Sequence, residues 1–295
     1  MAAYDPWVRD AAQRLAAAFF PRPADIVWLS VDLALTLRAA RVPAASAEDF
    51  AADVLAAMRA ALGEQATILV STFHFGFPAA KRYQTETAAA QTGAFGALLL
   101  KRHAAARTIH PFYNFLAFGP RAAEIRDRLF PNSFGDESIF AWLADNHAHL
   151  VSVGHHYVKA LTGTHHAEDQ AGVTYRYRKS FSGEVVRGDT VIPANVSFYV
   201  RQVDICDHSS LTRAGDDYFR AHGMVDSLKL GSDARAVLAH HLDLGAAHRV
   251  MVDNLRHGQP KFVDYYGPGR DNSDVGVITA DIANRLYLDE LKALP

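Results

Sequence analysis

Two short apolar runs, DIVWLSV (25–31) and ATILVSTF (66–73), constrain the fold more than any other feature of this chain. Each has strand length and is apolar at successive positions, so both of its faces must be buried. Between them lies an amphipathic stretch from Ser46 to about Leu62. Ser46-Ala-Glu-Asp places an acid at the third helical position behind a capping serine, and Gly63 closes the helix. An earlier helix covers 4–19, with Trp7, Ala11, Leu15 and Phe19 near one face, and Pro21 and Pro23 end it. Helix, strand, helix, strand, with buried strands, predicts an α/β sheet with parallel pairs.

The rest of the chain reads as a mixture. Residues 74–92 form a long polar loop, and 94–104, 120–129 and 138–146 are helices. RTIHPFYNFLAFG (107–119) is strand-like with a turn at Pro111, and 148–154 is another buried strand. Alternation over 173–181, 183–188 and 190–200 predicts three antiparallel strands, with Gly183 in the first hairpin turn. Helices follow at 216–223 and at 232–246, the second capped by Ser232. A Gly/Pro loop (265–272) precedes a last helix near 280–292. The run FVDYYG (262–267) is open between a pocket cover, a partner contact and an edge strand. With no repeat and no low-complexity linker, one mixed α/β domain over 1–295 is expected.

Charge and composition exclude several classes. The formal net charge of −2 gives no global basic field for nucleic acid or an anionic membrane. The longest uncharged run, 66–80, contains His, Gly and Pro and is too short to span a bilayer. Nothing at the start resembles a signal peptide. A single cysteine, Cys206, permits no intrachain disulfide. A cytoplasmic protein without nucleic-acid or membrane partners is expected.

The stretch THHAEDQAG (164–172) concentrates the chemistry. If a helix starts near Thr164, then His165, Glu168 and Asp169 share one face. Three readings stand. One is an acid-rich helix start with Thr164 as N-cap. A second is a metal site drawing on His155, His156, His165, His166 and Glu168, but no HExxH and no cysteine pair accompanies it, so no metal is expected. The third is proton transfer, with His165 as the base and a carboxylate on its other ring nitrogen.

A set of ordered motifs bears on the choice. RTIHPFYNFLAFG (107–119) resembles the R-S-x-H-P-x-x-S-x-x-A-x-G stretch of the aminoglycoside 3-N-acetyltransferase family. SFGDESIFAWL (133–143) is similar to the family's G-x-x-S-P-x-x-x-L, and LVSVGH (150–155) to its L-L-G-V-G-H. THHAEDQAGVTYRYRKSF resembles its L-H-L-A-E…YR run, TETAAAQTGAF (85–95) its T-P-S-x-T-G loop, and GSDARAVLAHHLDL (231–244) a family helix. The pieces fall in family order over about 25–250, and residues 255–295 are uncovered.

The resemblance implies a three-layer α/β fold, a mixed sheet with an antiparallel portion. It implies acetyl-CoA, or another acyl-CoA, as donor and a small amino sugar as acceptor. The histidine of H-x-A-E falls on His165, the base, with Glu168 orienting it. Asp204, or Asp207 beside it, falls near the acidic segment that holds the amine. Donor contacts fall on Ser30 and Val31 at a strand end, on Thr72, and on Arg107, Thr108, His110 and Asn114 of the RTIHP turn. Backbone amides near Ser30 or Thr72 are the candidate oxyanion donors. Cys206 sits in no nucleophile motif, so direct transfer is expected rather than an acyl-enzyme.

Three departures from the family shape the acceptor reading. V-H-S-S-L becomes VWLSVDL (27–33), in which only Ser30 survives. The segment before the base, GHHYVKALTGT (154–164), is about three residues longer and brings His155, His156, Tyr157 and Lys159 towards the acceptor. The family's acidic segment after the second strand is replaced by HFGFPAAKRYQTE (74–86), with His74, Lys81 and Arg82. Basic residues where a polycation would want acids point to a negatively charged acceptor, such as a nucleotide-linked amino sugar. An aminoglycoside antibiotic is the alternative. A metal-dependent hydrolase and a non-catalytic CoA-binding relative are the readings from other classes. YRYRK (175–179) reads as an exposed strand face, with Tyr175 and Tyr177 on one side and Arg176 and Arg178 on the other. A homodimer is left open.

Overall fold

The structure, a computed structural model, describes residues 5–20, 25–232 and 234–294. Pro21 and Pro23, expected to end the first helix, lie outside the described residues. The strands in chain order are β1 (Ile26–Val31), β2 (Thr67–Ser71), β3 (Arg82–Gln84), β4 (Phe115–Phe118), β5 (His149–Val153) and β6 (Arg176–Arg187). They continue with β7 (Thr190–Arg201), β8 (His208–Leu211), β9 (Val225–Leu230), β10 (Val237–Asp243) and β11 (Val263–Tyr266). The helices are α1 (Asp5–Phe19), α2 (Leu33–Ala40), α3 (Ala47–Leu62), α4 (Phe77–Ala80), α5 (Ala94–His103) and α6 (Ala123–Arg126). After them come α7 (Ile139–Asp145), α8 (Thr164–Ala171), α9 (Arg213–Ala221), α10 (Leu244–His257), α11 (Asn272–Val275) and α12 (Ala280–Ala293).

The central sheet has the order β4-β2-β1-β5-β10-β9. The two apolar runs form its heart: β1 pairs in parallel with β2 and with β5. Strands β4, β10 and β9 extend it antiparallel on either side. Period-2 alternation in β1 sends Ile26 and Trp28 to one hydrophobic layer, and Val27, Leu29 and Val31 to the other. Helices α1, α3 and α5 cover the second layer. Helices α7, α8 and α10, together with a separate sheet of order β3-β6-β7, cover the first. This is the three-layer mixed α/β arrangement expected.

Several local expectations fail for identifiable reasons. Residues 232–246 are not one helix. Val237–Leu242 is buried on both faces because β10 is an interior strand between β5 and β9. Such a short apolar run fits helix and strand equally by periodicity. The helix begins later, and Asp243 rather than Ser232 caps it, accepting from the Ala246 N–H at 2.9 Å. Gly183 is in no turn. Strand β6 runs through it unbroken, and the hairpin turns at 188–189. A Cβ at Gly183 would lie 2.3 Å from the Lys81 carbonyl oxygen, so the glycine permits a close approach instead. The loop 74–92 contains α4 and β3. Residues 120–129 hold only a 3-10 turn and the short α6. Ser46 stands at the N-cap position of α3, but its side chain makes no capping bond. FVDYYG supplies β11, which pairs with β8.

The topology places a crevice. From β1 the chain moves to β2 on one side, and the later β5 takes the other side. Strands β1, β2 and β5 therefore end together where the winding reverses, the position at which open α/β sheets bind ligands. Gly154, just past β5, has φ +82, and a Cβ there would lie 3.0 Å from Asp32 Cβ. It lets the chain turn tightly beside the start of α2.

Candidate functional site

A cavity of about 540 Å³ occupies that crevice. Its walls come from the ends of β1 (Trp28, Ser30, Val31), from Phe73 and Phe75 after β2, from Thr92-Gly93-Ala94 at the start of α5, and from His155. A second cavity of about 270 Å³ lies between the 158–165 segment, His208-Ser209-Ser210 and residues 278–283 of the tail. Lys159, Thr162 and His165 line both. The size and mixed apolar–polar walls of the larger cavity are those of a small-molecule site.

His165 sits in the first turn of α8. Its Nδ1 lies 2.8 Å from Glu168 Oε2, one turn on, and 22% of its side chain is exposed. A carboxylate cannot donate, so this bond puts the proton on Nδ1 and leaves the Nε2 lone pair free. Glu168 is fully buried. Tyr175 donates to its Oε1 at 2.9 Å, and Arg176 Nε lies 2.7 Å from Oε2. Arg176 Nη2 donates to Ser209 Oγ at 2.7 Å and also stands 3.0 Å from His165 Nδ1. Burial alone would push Glu168 up, but its interactions with His165 and the Arg176 guanidinium outweigh it and hold the carboxyl below its ordinary range. Burial and the Arg176 charge lower the His165 pKa against the opposing pull of Glu168. The result is a neutral imidazole at neutral pH, fixed in one tautomer. Phe134 packs edge-on against it, with ring centroids 5.5 Å apart.

Thr164 does not cap this helix; its hydroxyl donates to the Leu161 carbonyl at 3.0 Å, and Gly163 holds the cap position. The histidines are not gathered for a metal. His166 turns away and stacks on His248 at 4.2 Å. His156 is buried and accepts from Arg220 Nη2 at 3.1 Å. Among the described residues, no group of three or more His, Cys, Asp and Glu side chains is placed to hold a metal ion.

Of the expected donor contacts, Ser30 and Val31 line the larger cavity. Ser30 Oγ lies 3.0 Å from His155 Nε2, and His155 Nδ1 lies 3.0 Å from the His156 carbonyl. The carbonyl requires the proton on Nδ1, so the Ser30 hydroxyl donates to Nε2. The other residues expected at the donor line neither cavity. Arg107 is fully buried, donating to Thr72 Oγ1, Asn114 Oδ1 and the carbonyls of Thr72, Thr85 and Ala88. It clamps the 72–88 segment and lines neither cavity. Thr108 is buried beneath it, its Oγ1 accepting from Phe115 N–H. His110 Nδ1 accepts from the Phe112 and Tyr113 amides, and burial lowers its pKa to about 3. Asn114 and Thr72 bond each other, and the Thr72 amide is taken by the Asn114 carbonyl, so it is no oxyanion donor.

The acceptor contacts change too. His155 lines the larger cavity, but His156 and Tyr157 lie behind it, buried. The Tyr157 hydroxyl donates to Asp216 Oδ1 at 2.7 Å. His74, Lys81 and Arg82 line neither cavity; Arg82 pairs with Glu184 at 2.5 Å on the surface. Asp204 and Asp207 are exposed in the turn before β8 and also line neither cavity. Cys206 is buried there. Arg176, Tyr175 and Ser209 are the contacts that sequence reading missed. Arg176 opens β6 and folds under α8, so the exposed-face alternation starts only at Tyr177.

The protein is thus a three-layer α/β protein with a crevice at the strand ends and a neutral histidine between two cavities. The sequence profile of the aminoglycoside 3-N-acetyltransferases matches residues 44–251. The chain belongs to that family, whose members are acyl-CoA-dependent acetyltransferases. Solved structures share the fold. The enzyme AAC-VIa with sisomicin bound is 20% identical, with 84% of this chain and 97% of that one covered and a TM-score of 0.64. AAC-IIIb with CoASH is 18% identical, with 86% and 98% covered and a TM-score of 0.65. The YokD protein from Bacillus subtilis is 15% identical, with 84% and 96% covered and a TM-score of 0.58. No curated protein matches the chain.

Proposed function

We propose that this chain transfers the acetyl group of acetyl-CoA to an amine of an aminoglycoside-type amino sugar. The donor enters the larger cavity, the acceptor enters the smaller, and His165 is the base between them. One observation carries the reading: two cavities meet at a neutral histidine whose far nitrogen is held by a buried carboxylate. Acetyl-CoA supplies an activated acyl group as a thioester. The chain's own residues must bind it, orient it and take a proton from the attacking amine. Such an amine is mostly protonated in neutral water, and a positioned base contributes roughly 10²–10⁴-fold.

The walls fit this donor. Trp28, Phe73 and Phe75 offer apolar surface to a pantetheine-like chain. Helix α5 begins at Gly93 with no capping side chain, so its first amides are open to phosphate oxygens. The nucleotide-linked acceptor rested on Lys81, Arg82 and Lys159; of these Lys81 and Arg82 line neither cavity, and the family's own substrate type is the better reading. Thiol release from acetyl-CoA against sisomicin, glucosamine and a nucleotide-linked amino sugar tests it. Release with sisomicin is expected. Release with the nucleotide-linked sugar alone would overturn the acceptor assignment, and release with none would overturn the activity.

A further inference from the structure

We propose that Lys159 is a second catalytic residue, whose ammonium stabilises the negative charge that develops on the thioester oxygen. The inference rests on the function above and adds the group that function lacks. Acyl transfer to an amine needs a base for the proton and a positive charge or hydrogen-bond donor for the oxygen. The reacting carbon must lie where donor and acceptor meet. Only Lys159, Thr162 and His165 line both cavities, so these side chains surround that point. His165 is the base, and among the described residues Lys159 is the one lysine or arginine in either lining.

The surroundings leave that charge available. Among the described residues no carboxylate pairs with Lys159, and its Nζ is steadied by Asn284 Oδ1 of α12 at 3.2 Å. Among the described residues, the only acid in either lining, Asp32, accepts from the Leu35 amide at 3.0 Å. The backbone alternatives are weaker. The Thr72 amide is already bonded, and the α5 amides line only the larger cavity. Lys159 also belongs to the longer segment before the base, where this chain departs from the family pattern.

In the step itself, the nitrogen of the neutral amine, the ammonium proton having already gone to solvent, bonds to the carbonyl carbon, and the C=O electron pair moves to the oxygen beside Lys159 Nζ. His165 Nε2 takes the amine proton. The oxygen pair then re-forms C=O, the C–S bond breaks, and the leaving sulfur takes the proton from His165. The products are an amide and free CoA thiol.

The test compares wild type with Lys159→Met and Lys159→Arg, using two readouts. In steady state, Lys159→Met should lower kcat by about 100- to 1000-fold, as for loss of one oxyanion donor. KM for acetyl-CoA should change little, the loss should be equal for sisomicin and glucosamine, and Lys159→Arg should recover part of the rate. A rise confined to KM for acetyl-CoA would instead make Lys159 a phosphate contact, and a loss that tracks acceptor charge would make it a charge filter. Either overturns the proposal. The second readout is the infrared carbonyl stretch of bound [1-13C]acetyl-CoA, which needs no acceptor. Wild type should shift it to lower wavenumber, and Lys159→Met should remove most of that shift. An unshifted wild-type band, or one that Lys159→Met leaves in place, overturns the proposal even if the acceptor assignment has failed for its own reasons.

Discussion

Arg176 settles how firmly Glu168 holds the base. Its guanidinium pairs with a fully buried carboxylate, bonds Ser209, and stands beside His165. Arg176→Met would strand the Glu168 charge in the interior at a cost of about 3–5 kcal/mol, as for a broken buried pair. Urea unfolding should report that loss, and an unchanged midpoint would show that Glu168 is held otherwise. Glu168 itself acts on the pH profile. Its charge favours the imidazolium and so raises the His165 pKa, while burial and Arg176 lower it. The wild-type acid limb of kcat/KM should therefore lie below the ordinary histidine range near 6.5. Glu168→Gln removes the one upward pull, so the limb should move further to acid while kcat falls by about 10- to 100-fold, part of the base's contribution. A limb that moves towards neutral pH would contradict the assigned roles.

At the scale of elements, what was legible in the sequence followed from periodicity, and what was not depended on contacts across the chain. The runs in β1 and β2 announce buried parallel strands because residues 26–29 and 68–70 are apolar at successive positions. The H-x-x-E spacing on α8 announces the His165–Glu168 pair because it is local. Arg107 could not be read correctly. Its sequence neighbours suggest a phosphate contact, whereas its partners Thr72, Thr85 and Ala88 come from a distant loop that it pins. Asp204 likewise aligned near the family's acidic segment that holds the amine but is exposed in a turn. Gly183 reads as turn chemistry, yet it exists for the approach of the Lys81 carbonyl. Gly183→Ala should therefore destabilise by about 1–3 kcal/mol through overpacking, although its backbone remains extended. A denaturation midpoint equal to wild type would mean that the α4–β3 segment yields freely.

Across the whole molecule, the tail that the family resemblance did not cover completes the architecture. Helix α12 sends Glu290 to His240 Nε2 at 2.9 Å and to Arg220 Nη1 at 2.8 Å, and residues 278–283 wall the second cavity. Buried histidines give the fold a pH signature. Burial lowers His110 to about 3, His155 to about 4, His156 to about 2 and His166 to about 3. These groups stay neutral when folded but gain protons near pH 6.5 when unfolded. Their stabilisation is fully present above that value and is lost as pH falls towards the folded values, at about 1.4 kcal/mol per pH unit for each histidine. Tm should thus drop steeply from pH 6.5 to 5, and a flat profile would mean that these rings charge without unfolding. We place the chemistry where the two cavities meet, at His165. The most direct measurement is the single-turnover rate of His165→Ala with bound acetyl-CoA and sisomicin, alongside its acetyl-CoA Kd. The rate should fall by roughly 10²–10⁴-fold with Kd nearly unchanged. A variant that turns over at the wild-type rate while binding the donor equally well would contradict it.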